Sequence, residues 1–131
     1  MVRETLDRDA ILKLYRDADV SIQVSSHEGL GLGFYESIAQ GTPVVSLDVA
    51  PHNEAVVHQV TGWLLPATPR PLPDNDDGIV TAASFDVDQL ASVLSELSRD
   101  EVEKCTIATN RALGARFDEI KFLMRLIEAI P

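Results

Sequence analysis

Apolar residues recur at helical spacing near the start of the chain. The run LDRDAILKLYRDADV predicts a short helix, with Asp7 placed to cap it and Ile11, Leu12, Leu14 and Tyr15 as its apolar stripe. The pattern then changes to alternation: in DVSIQV (19–24), Val20, Ile22 and Val24 are separated by Ser21 and Gln23, which predicts a strand. SSHEGLGLG reads as a loop, and residues 32–40 as a helix in which Phe34–Ile38 and Tyr35–Ala39 meet at i,i+4. Gly41 stands where a left-handed residue ends a helix, and Pro43 prevents continuation. A buried-type strand at 43–47, a brief helix around 53–59 and a strand at 62–65 follow.

Residues 66–80, PATPRPLPDNDDGIV, carry four prolines and three aspartates and read as a surface loop, long for a link inside a compact domain. Residues 86–131 form a helical tail with helices near 86–98, 100–113 and 117–129. Leu90, Val93, Leu94 and Leu97 make its clearest stripe. Helices alternating with short strands predict an α/β layered fold around a parallel sheet.

Composition narrows the function classes. The chain has 131 residues, 45% of them hydrophobic and 24% charged, which is the balance of a globular protein. A net charge of −10 argues against nucleic acid and anionic membrane as direct partners, because both reward clustered Lys and Arg. No apolar run approaches the roughly 20 residues of a transmembrane span, and the charged start MVRETLDRDA lacks a signal-peptide core. Cys105 is the one cysteine, so a disulfide framework and a thiolate metal site are both excluded. His27, His52 and His58 lack metal-ligand spacing. Pro73 and a missing loop Glu break any calcium-loop pattern at Asp74, Asp76 and Asp77. The expectation is a cytoplasmic protein with no metal site.

The chemistry concentrates in HEGLGLGFYESIAQGTPVV (27–45). A loop that leaves a strand and opens a helix lies on the ligand-binding edge of a parallel sheet. Gly29, Gly31 and Gly33 remove side chains there, and the free amides of the following helical turn favour an anion such as phosphate. Glu28 and Glu36 bracket that site, and carboxylates accept hydrogen bonds from paired hydroxyls, as on a sugar and a ribose. The segment matches neither the G-x-G-x-x-G dinucleotide fingerprint nor a P-loop.

The stretch SSHEGLGLGFYESIAQGTPVVSLD, with NEAV and TGWLL after it, resembles the C-terminal donor-binding domain of retaining GT-B glycosyltransferases of the group 1 (family 4) type. Their E-x7-E signature is matched by Glu28 and Glu36, its glycines by Gly29 and Gly31, and its closing turn by Ala39, Gly41 and Pro43. The resemblance spans about residues 7–65. It implies a Rossmann-like parallel sheet with flanking helices, apparently the second half of a GT-B C-terminal domain. In this view residues 1–131 are a partial nucleotide-sugar-binding domain whose strands are the last three of the order 3-2-1-4-5-6.

By that resemblance Glu28 is the catalytic residue, contacting hydroxyls of the transferred sugar near the reacting carbon, and Glu36 holds the ribose hydroxyls. Gly29 belongs to the donor-binding set with Gly31, Leu32, Gly33 and Glu36, and backbone amides at Gly31, Leu32 and Gly33 face the sugar and diphosphate. His27, His52 and Asn53 are further candidates, although Asn53 also suits a helix cap. The implied reaction moves a hexose from a nucleoside diphosphate sugar, with retention, to a glycan or lipid acceptor. It uses no cofactor and no essential metal. Two departures stand out: Val49, Ala50 and Pro51 replace glycines common near the donor, and the 66–80 segment exceeds the family's usual link.

No Lys or Arg lies between Arg16 and Arg70, although a diphosphate leaving group requires cationic help. In the resembled family an Arg and a Lys, the first strands of the domain and the N-terminal acceptor domain all precede the region where this chain begins. The expectation is a part of a longer enzyme that is inactive alone. The full-length protein is expected in the cytoplasm, at the cytosolic face of a membrane, and strand 19–24 is expected to self-associate through its unpaired edge. Two other classes remain open: a non-catalytic regulatory or partner module with this fold, and another GT-B enzyme such as a nucleotide-sugar epimerase or sugar phosphorylase.

Overall fold

The structure is a computed structural model that describes residues 6–71 and 81–116. The helix expected over 117–129 and residues 72–80 of the 66–80 segment lie outside the described residues. The described chain runs α1 (Arg8–Asp17), β1 (Ser21–Ile22), α2 (Leu32–Ala39), β2 (Val44–Leu47), α3 (His52–Ala55), β3 (Gly62–Leu65), β4 (Thr68–Pro71), β5 (Thr81–Ser84), α4 (Val87–Glu96) and α5 (Arg99–Arg116). β1, β2 and β3 form a parallel sheet in that order, so the α/β fold with flanking helices is as expected.

β2 is central and buried along its whole length, and its alternate residues feed two cores. Val44 joins Phe34, Ile38, Ala55 and Val56 beneath α2 and α3. Val45 and Leu47 join Trp63, Leu65, Ala83 and Cys105 on the opposite face, where Leu90, Val93, Leu94 and Leu97 close over them. A continuous apolar strand read from VVSL is what a sheet covered on both faces demands. Burial pushes the Cys105 thiol up to about 11, so it stays protonated in the core.

Local signals explain the helix ends. Asp7 Oδ1 accepts from Ala10 N at 2.8 Å, and Asp86 Oδ1 from Asp88 N at 2.8 Å. Ser98 and Glu101 make a reciprocal capping box at the start of α5: Ser98 N donates to Glu101 Oε2 at 3.0 Å, and Glu101 N donates to Ser98 Oγ at 3.3 Å. Gly41 takes φ +80° just beyond α2 and lies against the Asn110 side chain of α5.

Several expectations change. The strand expected over 19–24 is only Ser21–Ile22, because it is paired on one side alone among the described residues. Its burial is also reversed: Ser21 is buried and Ile22 is 50% exposed. Ser21 lies on the face of β1 toward α2, where Gln23 Nε2 bonds both Ser21 Oγ and Gly33 O, whereas Ile22 lies on the opposite face. Leu14, assigned to the stripe of α1, is 56% exposed. The helix expected at 53–59 is one turn that starts at His52, with Pro51 rather than Asn53 at its N-cap.

The expected surface loop of 66–80 contains a strand instead. β4 pairs antiparallel with β5, Pro69 opposite Ala83 and Pro71 opposite Thr81. Ala83 N turns away from β4 and donates to Ser26 O at 2.6 Å. Residues facing each other alternate between bonded and non-bonded pairs, so Pro69 and Pro71 occupy the pairs that need no amide donor. The prolines that argued for a loop are compatible with an edge strand in this register.

β3 approaches β2 closely enough that a Cβ on Gly62 would lie 1.8 Å from Val44 O. Gly62→Ala is expected to destabilise the protein by roughly 3 kcal/mol or more, because a backbone atom cannot yield as a side chain does. Urea unfolding measures it, and an unchanged midpoint would contradict the β2–β3 register.

Candidate functional site

Parallel strands place their carboxyl ends on one edge, and the residues singled out in the sequence gather there. Gln23 to Glu28 leave β1, Asp48 to His52 leave β2, and α2 begins at the glycine turn between them. Gly31 is the N-cap of α2 in the left-handed conformation, φ 67° and ψ 50°, and no side chain caps the helix. The amides of Leu32 and Gly33 therefore open an uncapped helix start, the arrangement that receives an anion. Leu30 and Leu32 flank Gly31 and are both 63% exposed, an apolar rim on a polar turn.

The three glycines have different reasons. A Cβ on Gly29 would meet nothing within 4 Å, so only there does the missing side chain leave open space. A Cβ on Gly31 would lie 2.2 Å from the Phe34 ring, and the positive φ excludes other residues as well. A Cβ on Gly33 would lie 2.5 Å from Gln23 Oε1 and 3.2 Å from the Tyr15 hydroxyl. Internal packing thus accounts for Gly31, which the sequence assigned to ligand approach alone, while the neighbours of Gly33 are the ends of two side chains that can shift.

The two glutamates sit in different surroundings. Glu28 is half-buried in the loop after β1, and Ser25 Oγ donates to its Oε1 at 2.8 Å. Glu36, with a side chain 25% exposed, faces α1, where the exposed Arg8 Nη2 lies 3.7 Å from its Oε1. Partial burial and then Glu36 raise the pKa of the Tyr15 phenol, which keeps it protonated as a donor. Arg8 thus supplies a cation that the Arg16–Arg70 gap conceals, because helix packing rather than sequence distance brings it to Glu36.

His52 is buried, 1% exposed, with its Nδ1 2.7 Å from Ser46 Oγ. Ser46 Oγ also donates to Gln23 O at 2.7 Å. A hydroxyl has one proton, so Ser46 accepts from His52 Nδ1–H. Burial lowers the His52 pKa from 6.5, while the carboxylate of Glu28 acts in the opposite direction. The His52 ring packs on Phe34 with centroids 4.7 Å apart. His52 is therefore beneath the turn and not on its exposed surface, whereas Asn53 is exposed and donates to Asp48 Oδ1 at 2.9 Å. His27 is exposed beside Glu28. Among the described residues no group of three His, Cys, Asp or Glu could hold a metal.

Gln23 was not singled out in the sequence. Its Nε2 donates to Gly33 O at 2.9 Å and to Ser21 Oγ at 2.9 Å, tying β1 to the start of α2. Alternation with valines made it read as a solvent-facing residue of the strand. The one available signal was Ser46, a hydroxyl inside an apolar strand that has to find a partner. Two clefts, of about 470 and 520 Å³, lie away from these residues. The first is lined by Arg16, Asp19, Gly41, Arg99 and Asn110, at the opposite edge of the sheet.

Residues 2–113 match the family model described as "Glycosyl transferases group 1". An uncharacterized glycosyltransferase of Methanocaldococcus jannaschii is 35% identical over 78 residues, which are 59% of this chain and 20% of that protein. The GtfA subunit of a UDP-N-acetylglucosamine–peptide N-acetylglucosaminyltransferase from Streptococcus agalactiae is 37% identical over 70 residues, 53% of this chain and 13% of that protein. A crystal structure of a GtfA/B complex superposes on 85% of this chain and 23% of its own, with 18% identity and a TM-score of 0.48. The chain thus spans a fifth or less of the length of these two curated relatives.

Gly31→Ala is expected to lower stability by about 1–3 kcal/mol, from left-handed strain plus displacement of the Phe34 ring. Gly29→Ala is expected to stay within about 0.5 kcal/mol of the parent. Thermal unfolding compares the two, and equal effects would contradict the geometry of the turn.

Proposed function

This chain belongs to the group 1 glycosyltransferases, and from that premise we propose that it forms the donor-binding part of a retaining enzyme that transfers a hexose from a nucleoside diphosphate sugar. The observation that carries the reading is the uncapped start of α2 at Gly31, with Glu28 before it and Glu36 one further turn along, at the carboxyl edge of the sheet. One relative's name includes UDP-N-acetylglucosamine, a donor of this class. The acceptor is a glycan or lipid bound by an N-terminal domain of the longer protein, which is cytoplasmic and works at the cytosolic face of a membrane. Among the described residues no helix is long and apolar enough to cross one.

The division of roles follows from the surroundings of each carboxylate. Glu36 accepts from the ribose hydroxyls beside Tyr15 and Arg8. Glu28, steadied by Ser25, contacts the sugar hydroxyls near the anomeric carbon, where positive charge develops. The amides of Gly31, Leu32 and Gly33 receive the diphosphate, with Gly29 leaving room for approach and His27 and Asn53 at the rim. Helix-start amides and protein cations stabilise the leaving group, and no metal is required. The cation-free run between Arg16 and Arg70 supports a second reading, a partner module that retains the fold without catalysis.

In the full-length protein Glu36→Ala is expected to raise the donor KM, because ribose contacts are equal in ground and transition states. Glu28→Ala is expected chiefly to lower kcat, by about 100-fold or more. An identical loss of kcat with unchanged KM in both variants would overturn the assignment. Inactivity of the parent protein would favour the partner-module reading.

The isolated chain is expected to be inactive and to bind donor no more tightly than about 1 mM, roughly 4 kcal/mol. Micromolar binding by calorimetry would mean that the phosphate site is complete within it. β1 has one free edge among the described residues and Ile22 is half exposed, so the isolated chain is also expected to self-associate through residues 19–24. Light scattering that finds a folded monomer at high concentration would exclude this.

A further inference from the structure

His52 is buried between the sheet and the glycine turn with both sides of its ring explained. On one side lies a chain of hydrogen bonds: Nδ1–H to Ser46 Oγ at 2.7 Å, then Ser46 Oγ–H to Gln23 O at 2.7 Å. On the other lies the Phe34 ring at 4.7 Å, which in turn occupies the space a side chain on residue 31 would need. Gln23 closes the circuit, because its side chain donates to Gly33 O at 2.9 Å while its carbonyl accepts from Ser46. The start of α2 is thus gripped at Gly31 through Phe34 and His52, and at Gly33 through Gln23. Both grips meet at Ser46.

We infer that His52 is a positioning residue for donor binding, whose neutral, Nδ1-protonated ring fixes the glycine turn and so aims the amides of Leu32 and Gly33. The inference rests on the donor-site reading given above. His52 does not touch the donor; it acts through Phe34 and Ser46. Its neighbours from the packed elements are Phe34 on α2 and Ser46 on β2, both uncharged, and the charge acting on the ring is the carboxylate of Glu28 in the loop after β1.

A second proton would have to enter at Nε2, on a ring already confined by Phe34 and Ser46. Burial lowers the folded pKa below 6.5, more than offsetting the pull of Glu28. The unfolded or opened turn therefore takes up the proton first as pH falls. The stabilising contribution of neutral His52 is complete above about 6.5 and is lost as pH falls toward the folded value. Donor affinity weakens to the extent that this loss populates the opened turn, so its decline belongs to the acid end of that window.

The test uses the full-length protein with UDP-glucose and GDP-mannose as calorimetric probes. Their diphosphates are diesters without titration near neutral pH. For the wild type, Kd is expected to rise at least twofold from pH 7.5 to 5.5, with a ceiling of about 10-fold set by the one pH unit below 6.5. His52→Phe keeps the ring against Phe34 and removes the titration, so its Kd is expected to be nearly flat with pH. Ser46→Ala leaves the ring in place but removes its acceptor, and is expected to weaken binding several-fold at pH 7.5 with an unchanged circular dichroism spectrum.

A wild-type profile matched by His52→Phe, or wild-type affinity in Ser46→Ala, overturns the inference. Nitrogen-15 shifts of His52 supply a readout independent of binding: the Nδ1–H tautomer is expected, and the Nε2–H tautomer overturns it even if His52→Phe does not fold. Failure of the wild type to bind either probe at pH 7.5 instead overturns the donor-site reading, and this inference with it.

Discussion

The ring of Phe34 occupies the place where a side chain on residue 31 would stand, and the rest of the site depends on that contact. It forces glycine at 31, and glycine permits the left-handed turn that starts α2 without a side-chain cap. It also gives His52 a flat surface to pack on, which links the turn to β2 through Ser46. An uncapped helix start would ordinarily be a weak point. Here the backbone amides stay open because packing from below, rather than a capping side chain, holds the helix in position.

Around this turn the chain places polar side chains that hold one another. Gln23 serves β1 and α2 at once, Ser25 holds Glu28, and Ser46 divides its hydrogen bonds between Gln23 and His52. Buried polar groups are costly unless satisfied, and a satisfied network restricts the core to one arrangement. The two glutamates differ through the same logic. Glu36 is paired with Arg8 of α1 and lies near enough to Tyr15 to raise its pKa, while Glu28 stays with the loop from β1. Two carboxylates eight residues apart thereby end in different surroundings, one on the loop from β1 and one against α1.

The β4–β5 pair shows how a segment that reads as a loop can become part of the framework. Pro69 and Pro71 fall on the non-bonded side of the ladder, and Ala83 N–H is left to reach Ser26, two residues before Glu28. The strand pair therefore braces the glutamate loop from outside while His52 and Phe34 brace the glycine turn from beneath. Trp63, Cys105 and the α4 stripe complete the core on the far face of the sheet and take no part in the site.

Element type followed from local pattern wherever a periodic stripe or a cap spanned several residues. Asp7, Asp86, the Ser98–Glu101 box and Gly41 determined where helices begin or stop, and the apolar VVSL run determined a strand covered on both faces. The family was likewise legible in the glycine-rich stretch and the turn that follows it. Long-range pairing decided the rest. Ser21 is buried and Ile22 exposed because of which neighbours reach each face of β1, a matter on which alternation is silent. The prolines of β4 required a partner strand before their register had meaning. Arg8, Gln23, Ser46 and His52 joined the site only when α1, β1, β2 and α3 were brought together, since a hydrogen bond or a ring contact between residues distant in sequence exists only once the fold has closed the gap.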